Sequence, residues 1–363
     1  MSVDINLIKS NLNKISDPDL GYSFEKLNAV KNIEVADNKL IAEIELIPPY
    51  NWIAEELQSL CEAKIKETNP ELEVEINFSE VQLPTAPRQH LKGVKHIIAV
   101  ASGKGGVGKS AVASNIAASL SMSGAKVGLI DGDIYGPSQP TIWGMQDAQM
   151  PAEANPDGGT IVYPAEKYGV KIASMGFLMK EGDAAIVRGP ILAGYLQMLI
   201  QQIQWGELDF LIFDLPPGTG DIQLTLTQQT PLSGAVIVTT PQEISVVDVR
   251  RSVKMFEKVQ VPVLGVVENM SYFVPDDAPE KKYYIFGQGG GKKIADESKV
   301  RFLGEIPLLE FFRQTNDNGI PFVLNHDSGE YTKNVHQIIS NTIQELRRIN
   351  YEKSQESSLE ISI

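Results

Sequence analysis

The stretch that decides the fold is Ile97-Ile-Ala-Val-Ala-Ser-Gly-Lys-Gly-Gly-Val-Gly-Lys-Ser110. It runs from a continuous apolar segment, Ile97–Ala101, through a glycine-rich loop into the alanine-rich segment 111–122. Its last eight residues fit the pattern G-x-x-x-x-G-K-[ST], which requires a strand before it and a helix after it. The stretch therefore predicts a phosphate-binding loop at Gly103–Ser110. The alternative is a glycine-rich surface loop.

The residue types in this loop each have a physical role. Glycines let the backbone turn tightly and approach phosphate oxygens. The loop amides then form a nest for anions, to which the following helix adds the positive end of its dipole. Lys109 is predicted to reach the β- and γ-phosphates, and the Ser110 hydroxyl to bind Mg²⁺. The predicted nucleotide contacts in the loop are Gly103, Lys104, Gly105, Gly106, Val107, Gly108, Lys109 and Ser110.

Two other apolar runs end in carboxylates. Phe210-Leu-Ile-Phe-Asp214 predicts a strand that ends in a carboxylate. Asp214 is the second group, besides Ser110, that is predicted to bind Mg²⁺, directly or through water. Leu129-Ile-Asp-Gly-Asp133 predicts another strand end, with Asp133 as the candidate that orients the attacking water. Taken singly, each aspartate could instead cap a turn or a helix. Their shared position at strand ends beside the loop favours the catalytic interpretation.

Lys104 is a second lysine inside the loop. It is either a solvated charge or a cation that contacts phosphates, those of its own site or those of a facing subunit. A cation supplied across a dimer acts like an arginine finger, which raises the rate by roughly 10³–10⁵. Lys104, Lys109 and Asp133 are therefore the candidate catalytic residues, and a homodimer is the predicted state.

The rest of the chain divides into segments of different character. Residues 93–350 contain continuous apolar runs alternating with helical stretches, which is typical of a doubly wound, mostly parallel α/β sheet. Residues 1–84 show apolar residues at every second position and one stretch of helical spacing, which predict a small α+β domain of order α-β-β-α-β. Residues 85–92 are predicted to be a linker, because Pro84 and Pro87, two prolines within four residues, favour an extended, non-helical chain. Residues 351–363 are predicted to be a polar, disordered tail.

Composition limits the partners and the compartment. The formal net charge is −14 and no local basic patch stands out, so neither nucleic acid nor membrane is a predicted partner. The chain has neither a signal-peptide pattern nor an apolar segment of membrane-spanning length, and a cytoplasmic location is expected. Its single cysteine, Cys61, excludes an intrachain disulfide.

Several motifs together resemble a known family. The loop resembles the deviant Walker A sequence of MinD/ParA-type P-loop ATPases, in which the early lysine contacts nucleotide across a dimer. Asp131-Gly-Asp-Ile-Tyr-Gly-Pro-Ser138, Asp214-Leu-Pro-Pro-Gly-Thr-Gly-Asp221 and Val267-Glu-Asn-Met-Ser-Tyr-Phe273 narrow the resemblance to the Mrp/ApbC iron–sulfur cluster carrier ATPases. The leading domain, with Asp17-Pro-Asp19, resembles the iron–sulfur assembly domain often fused ahead of them.

The resemblance implies an activity and a set of roles. It implies Mg²⁺-dependent ATP hydrolysis in the assembly of iron–sulfur clusters or their transfer to apo-proteins. Asn269 would contact adenine, Pro307 would lie near the base, and Pro241-Gln242 would flank the nucleotide. The implied cargo is a 4Fe-4S cluster.

The sequence departs from the family at the cluster ligands. The family has a Cys-x-x-Cys pair after the Asn269 motif, where this chain has neither cysteine nor histidine between Val274 and Tyr284. Cys61 lies on the apolar face of a predicted helix and is expected to be a core residue. Asp276 and Asp277 are poor ligands for a soft metal. No iron–sulfur ligands are evident, which leaves open a scaffold role, a MinD/ParA-like positioning or partition ATPase, and a nucleotide-gated interaction module.

Overall fold

A computed structural model describes residues 3–83, 91–155, 159–178, 189–275, 277–325 and 329–360. It divides the chain into two units. One comprises Met1–Thr85 together with Ile343–Ile363, and the other comprises Ala86–Thr342. The sequence-based division placed residues 343–350 with the second domain, so the C-terminal boundary differs. The predicted linker, 85–92, lies largely outside the described residues.

The first unit is built on a three-stranded sheet. Its first two strands are antiparallel and joined at Asp37-Asn38, where both residues have positive φ angles, and its second and third strands are parallel. Side chains at alternate positions of the second strand are buried, as period two predicted: Leu40, Ala42, Ile44 and Leu46. The elements are α1 (Ile5–Asn13), α2 (Phe24–Leu27), β1 (Val30–Ala36), β2 (Lys39–Leu46), α3 (Ala54–Lys66) and β3 (Glu73–Glu80).

The C-terminal helix contributes to the first unit. This helix, α11, spans Gly329–Glu360, and its portion from Ile343 onward belongs to that unit. Asn350 donates a hydrogen bond to the Pro48 carbonyl at 2.7 Å, and the Tyr351 ring packs against Tyr22. The sequence predicted a disordered tail from residue 351, whereas the structure continues the helix through residue 360. Residues 361–363 lie outside the described part.

The second unit is built on an eight-stranded sheet of order β13-β12-β11-β4-β10-β5-β9-β8. Its pairs are parallel except for β8 with β9, which confirms the predicted α/β class. The apolar runs that begin at Ile97, Leu129 and Phe210 in the sequence all lie in strands. The strands are β4 (Val94–Ala101), β5 (Val127–Asp131), β8 (Ala165–Lys167), β9 (Val170–Ser174), β10 (Leu208–Asp214), β11 (Gly234–Thr239), β12 (Val263–Phe273) and β13 (Phe302–Leu308). A separate hairpin pairs β6 (Ala152–Ala154) with β7 (Thr160–Val162).

Helices lie between the strands of this sheet, and a further one follows the last strand. They are α4 (Lys109–Met122), α5 (Gln139–Ile142), α6 (Gly189–Gln201), α7 (Asp221–Gln229), α8 (Glu243–Lys258), α9 (Gly290–Glu297) and α10 (Glu310–Asp317). Because the central strands β4, β10 and β5 are parallel and adjacent, their carboxyl ends meet at one edge of the sheet. The glycine loop and both predicted aspartate positions come together at this edge, where open α/β sheets bind ligands. Among the described residues, no helix combines the length and apolar character needed to cross a membrane.

Candidate nucleotide-binding site

The glycine loop connects the end of β4 to the first residue of α4, Lys109. Gly106 and Gly108 both have positive φ angles, which side-chain-bearing residues rarely adopt. A Cβ atom on Gly105 or Gly106 would meet no protein atom within 4 Å, so the loop borders open space there. An open, glycine-rich loop at a helix N-terminus is the arrangement that accepts phosphate groups.

Lys109 and Asp214 form an ion pair at the centre of the site. Their side chains are 7% and 0% exposed, and the lysine ammonium donates to Asp214 Oδ1. The same ammonium lies 3.4 Å from Ser110 Oγ. The structure thus brings together the three residues that the sequence assigned to phosphate and metal binding.

A second buried carboxylate, Asp131, lies on the neighbouring strand directly opposite Asp214 in the register. Its Oδ2 accepts hydrogen bonds from the Gln139 amide at 3.1 Å and from Ser174 Oγ at 2.9 Å. Burial, and then the charge of Asp214, raise the pKa of Asp131 to about 7. Sequence reasoning noted Asp131 only as part of a strand end. Its burial becomes evident only from the sheet register.

Asp133, the candidate for orienting water, lies two residues beyond Asp131 and is half-buried. Its Oδ1 accepts a hydrogen bond from the Gly136 amide at 3.3 Å, within its own loop. The backbone amide of Asp133 donates to Asp131 Oδ1 at 3.2 Å. The loop is therefore held to the sheet by Asp131.

Gln139 is a site residue that sequence reasoning missed. Its side-chain amide donates to Asp214 Oδ2 at 2.9 Å and to the Ser110 carbonyl at 3.1 Å. It is completely buried and begins the short helix α5. A glutamine between a serine and a proline carries no signal of this role, because the contacts connect segments 29 and 75 positions apart.

The residues assigned through family resemblance take different positions. The Asn269 side-chain amide donates to the Val107 carbonyl at 2.8 Å, so it contacts the loop backbone. Pro307 lies buried in the edge strand β13, one residue after the partner of Asn269 in the register. A Cβ on Gly290 would lie 2.3 Å from the Pro241 carbonyl oxygen, which places Pro241 against the start of α9. Lys104 is half-buried, and its carbonyl accepts from Ser102 Oγ at 2.9 Å.

The candidate ligands for an iron–sulfur cluster are Cys61, Asp276 and Asp277. Cys61 is fully buried in the first unit, and burial raises the pKa of its thiol to about 12. Within the described ranges, no group of three or more histidine, cysteine or acidic side chains is arranged to hold a metal ion. Asp277 is exposed, and Asp276 lies outside the described residues. The donor set does not fit an iron–sulfur cluster, which takes thiolates.

Comparison with known proteins agrees with this geometry. The family model of NUBPL iron-transfer P-loop NTPases, in the ParA group, matches residues 93–343. An iron-sulfur cluster carrier protein of Synechocystis sp. is 44% identical over 326 residues, covering 89% of this chain and 92% of that protein.

Two solved structures are also similar to this chain. A nucleotide-binding protein of Archaeoglobus fulgidus, in complex with ADP and with Co, is 35% identical with a TM-score of 0.57. The match covers 67% of this chain and 94% of that one. The cell division ATPase MinD of Pyrococcus furiosus is 21% identical with a TM-score of 0.50, covering 70% and 99%, and is alike in fold alone. Since the family model spans most of the chain and the Synechocystis relative nearly all of it, the chain belongs to the NUBPL iron-transfer family of P-loop NTPases.

Proposed function

We propose that this protein is a Mg²⁺-dependent ATPase that acts as a homodimer in assembling iron–sulfur clusters or transferring them to apo-proteins. The observation that carries the proposal is the meeting of Lys109, Ser110 and Asp214 beside the glycine loop. The family supports the nucleotide chemistry, and the names of the relatives support the iron–sulfur role.

Nucleotide binding requires Lys109 to exchange partners. In the structure, its ammonium is paired with the buried Asp214 carboxylate. Phosphates in the glycine loop bring several negative charges close to that ammonium, and Lys109 then turns towards them. Asn269, hydrogen-bonded to the Val107 carbonyl, keeps the loop backbone fixed during this exchange. A contact between Asn269 or Pro307 and the adenine belongs to the same proposal.

The oxygen donors at the site fit Mg²⁺. Ser110 offers a hydroxyl and Asp214 a carboxylate, both hard ligands of the kind that this ion prefers. Bound there with the nucleotide, the ion would neutralise charge on the phosphate oxygens. Asp214 becomes available for this role when Lys109 leaves its Oδ1.

Catalysis uses the two remaining charged candidates. Asp133 would hold the attacking water in line with the γ-phosphate, and Lys104 of a facing subunit would stabilise charge that develops on the phosphate oxygens. The loop Leu215–Asp221 follows Asp214 directly and would respond to the γ-phosphate. Its Gly218 amide donates to the Ser102 carbonyl at 2.9 Å, which links it to the start of the glycine loop.

The cargo would be carried without thiolates of this chain's own. One buried cysteine per subunit, held as a neutral thiol, cannot supply the four ligands that a cluster takes. We therefore propose a scaffold role, in which a partner protein or small thiols hold the cluster. ATP binding would close the dimer, and hydrolysis would reopen it. The leading unit, like the assembly domain that it resembles, would contact that partner. A cytoplasmic location is part of the proposal.

The first experiment compares the ATP turnover of the wild type with that of Lys109→Ala. The wild type is expected to hydrolyse ATP when Mg²⁺ is present, and Lys109→Ala to lose at least about a hundredfold in rate. Wild-type turnover no higher than that of Lys109→Ala would instead support a nucleotide-gated interaction module. Binding of DNA or anionic liposomes would favour a positioning or partition ATPase.

Anaerobic reconstitution with iron and sulfide tests the cargo. We expect no stable cluster on the isolated chain. Addition of ATP should accelerate transfer from a thiol-bearing donor to an apo-protein. A cluster that survives in the wild type but is lost in Cys61→Ser would contradict the scaffold proposal and locate the ligands in the first unit. A cluster retained in that variant would point to non-cysteine or external ligands.

A further inference from the structure

Gln139 has a side-chain amide whose orientation is fixed by its neighbours. Its Oε1 accepts hydrogen bonds from Ser114 Oγ at 2.6 Å and from the Trp143 indole at 3.2 Å. An indole N–H can only donate, so the amide oxygen must face Trp143. The amino group therefore faces Asp214 Oδ2 and the Ser110 carbonyl, both of which can only accept.

This arrangement divides the two oxygens of Asp214 between two donors. Lys109 takes Oδ1, and Gln139 takes Oδ2 at 2.9 Å. Asp214 is completely buried, and a buried carboxylate oxygen left without a donor is costly. The backbone amide of Gln139 in turn donates to Asp131 at 3.1 Å, which anchors the glutamine to the neighbouring strand.

We propose that Gln139 is a positioning residue that keeps Asp214 oriented for Mg²⁺ when Lys109 moves to the phosphates. This inference rests on the proposed function, and specifically on Asp214 as a metal ligand. With Lys109 on the phosphates, Oδ1 of Asp214 would be free to hold Mg²⁺, while Gln139 would keep its hydrogen bond to Oδ2. The glutamine amino group also donates to the Ser110 carbonyl. This bond holds Ser110, whose hydroxyl is the other proposed metal ligand, in place beside Asp214.

The effect of such a residue is specific to the metal. Groups that orient a metal ligand typically change metal affinity by about 10–100-fold when removed. Gln139 is completely buried, so its replacement should change the nucleotide affinity in the absence of metal only a little. Gln139→Leu keeps the approximate volume of the side chain and removes both amide donors.

The experiment measures the affinity for a fluorescent ADP by equilibrium titration, once in excess EDTA and once across a Mg²⁺ series. ADP is used because it is not turned over. We expect the wild type to bind ADP more tightly with Mg²⁺ than in EDTA. The ratio of its two dissociation constants should be about tenfold smaller in Gln139→Leu. In EDTA the two proteins should agree within about twofold, because the glutamine acts through the metal ligand.

Trp143→Phe is the matched control. It removes one donor to the Gln139 carbonyl oxygen, leaves Ser114 on that oxygen, and leaves the bond to Asp214 intact. We expect it to retain the Mg²⁺-dependent tightening, whatever it does to the melting temperature. If Gln139→Leu weakened ADP binding equally with and without Mg²⁺, the positioning role would be overturned while the proposed function stood. If the wild type bound no ADP, or bound it equally with and without Mg²⁺, the proposed function itself would fail.

Discussion

The side-chain amide of Asn269 lies 2.8 Å from the carbonyl oxygen of Val107, and the missing side chain of Gly108 makes that approach possible. A Cβ atom built on Gly108 would be 2.1 Å from Asn269 Nδ2, far inside van der Waals contact. Asn269 lies within the largely buried strand β12 and is itself buried, so it cannot move aside freely. The end of β12 and the glycine loop therefore fit together only with glycine at position 108.

Gly108→Ala should accordingly impair nucleotide binding. The substitution combines the collision with Asn269 and a φ of 80°, which alone costs a non-glycine residue about 1–2 kcal/mol. We expect the affinity for a fluorescent ADP to fall by at least about tenfold. Gly124→Ala is the control, because Gly124 has a φ of 84° but a Cβ there meets nothing within 4 Å. Equal losses in both variants would show that backbone strain alone is responsible.

The Lys109–Asp214 pair should behave as a buried ion pair in the nucleotide-free protein. Lys109→Met leaves a carboxylate buried without its countercharge, which typically costs about 3–5 kcal/mol of unfolding free energy. The double variant Lys109→Met with Asp214→Asn removes both charges and should recover a large part of that loss. Urea unfolding of the wild type, the two single variants and the double variant gives the coupling energy. Additive effects would show that the two side chains do not interact.

The sequence could predict those parts of the site that follow from patterns among neighbouring residues. Apolar runs without polar alternation identified β4, β5 and β10, and a carboxylate at a strand end placed Asp214 at the correct edge of the sheet. The glycine spacing identified the loop. In each case the information lies within about ten consecutive residues, where backbone preference and burial act together.

Other parts depend on contacts that no local pattern records. Gln139 reaches Asp214 across 75 positions, and a buried polar residue looks in sequence like an exposed one. The edge strands β8 and β13 lack continuous apolar runs and were not predicted. Asn269 was placed near the nucleotide by resemblance alone. Its bond to Val107 is a finding of the structure, and its contact with adenine stays a prediction.

Cys61 should be chemically silent in the folded protein. Its thiol is fully buried, and burial, with a smaller contribution from Glu62, raises its pKa to about 12. At pH 8 the thiol is therefore protonated, and only the thiolate attacks disulfide reagents. We expect no reaction with Ellman's reagent in the native protein and one thiol per chain in denaturant. Rapid reaction of the native protein would restore Cys61 as a candidate ligand.

The stability of the protein should also depend on this thiol at alkaline pH. The folded thiol holds its proton up to a pKa of about 12, whereas the unfolded one loses it at the ordinary cysteine pKa. Unfolding therefore becomes easier as pH rises between these two values. In the matched Cys61→Ala variant this part of the alkaline destabilisation should disappear.

Arg347 should be essential to the first unit. Its guanidinium is completely buried and donates to both oxygens of Asp17, at 2.9 and 2.6 Å, and to Asp19 at 2.7 Å. Arg347→Ala leaves buried Asp17 without its cation and should cost about 3–5 kcal/mol. Arg347→Lys should recover little of this, because an ammonium cannot reproduce the bidentate contact. Hydrogen exchange in α1, β2 and α3 would measure the effect.

The contacts of Arg347 with Asp17 and Asp19 also predict how the first unit responds to truncation. Residues 1–85 alone lack the α11 portion that supplies Arg347 and Asn350, and should not unfold cooperatively. A fragment 1–85 with a cooperative melt like that of the full chain would contradict this. Arg348→Ala is the control, because the Arg348 side chain is half exposed and the ion pairs that the described residues give it, with Glu345 and Glu352, lie along its own helix. Exposed pairs of this kind contribute about 0–1 kcal/mol.

Lys104 acts either on the nucleotide of its own subunit or on that of the facing subunit, and mixing two variants distinguishes these cases. Lys104→Ala and Asp133→Ala should each hydrolyse ATP slowly. Mixed together, they form some heterodimers in which the Lys104→Ala subunit keeps its own Asp133 and receives Lys104 from its partner. If Lys104 acts across the dimer, mixing should restore part of the wild-type turnover, because one site of each heterodimer is complete. If Lys104 acts on its own nucleotide, neither site is complete and mixing restores nothing. Light scattering of ATP-bound Asp133→Ala at micromolar concentration checks the premise, since a monomer under these conditions would exclude the dimer mechanism.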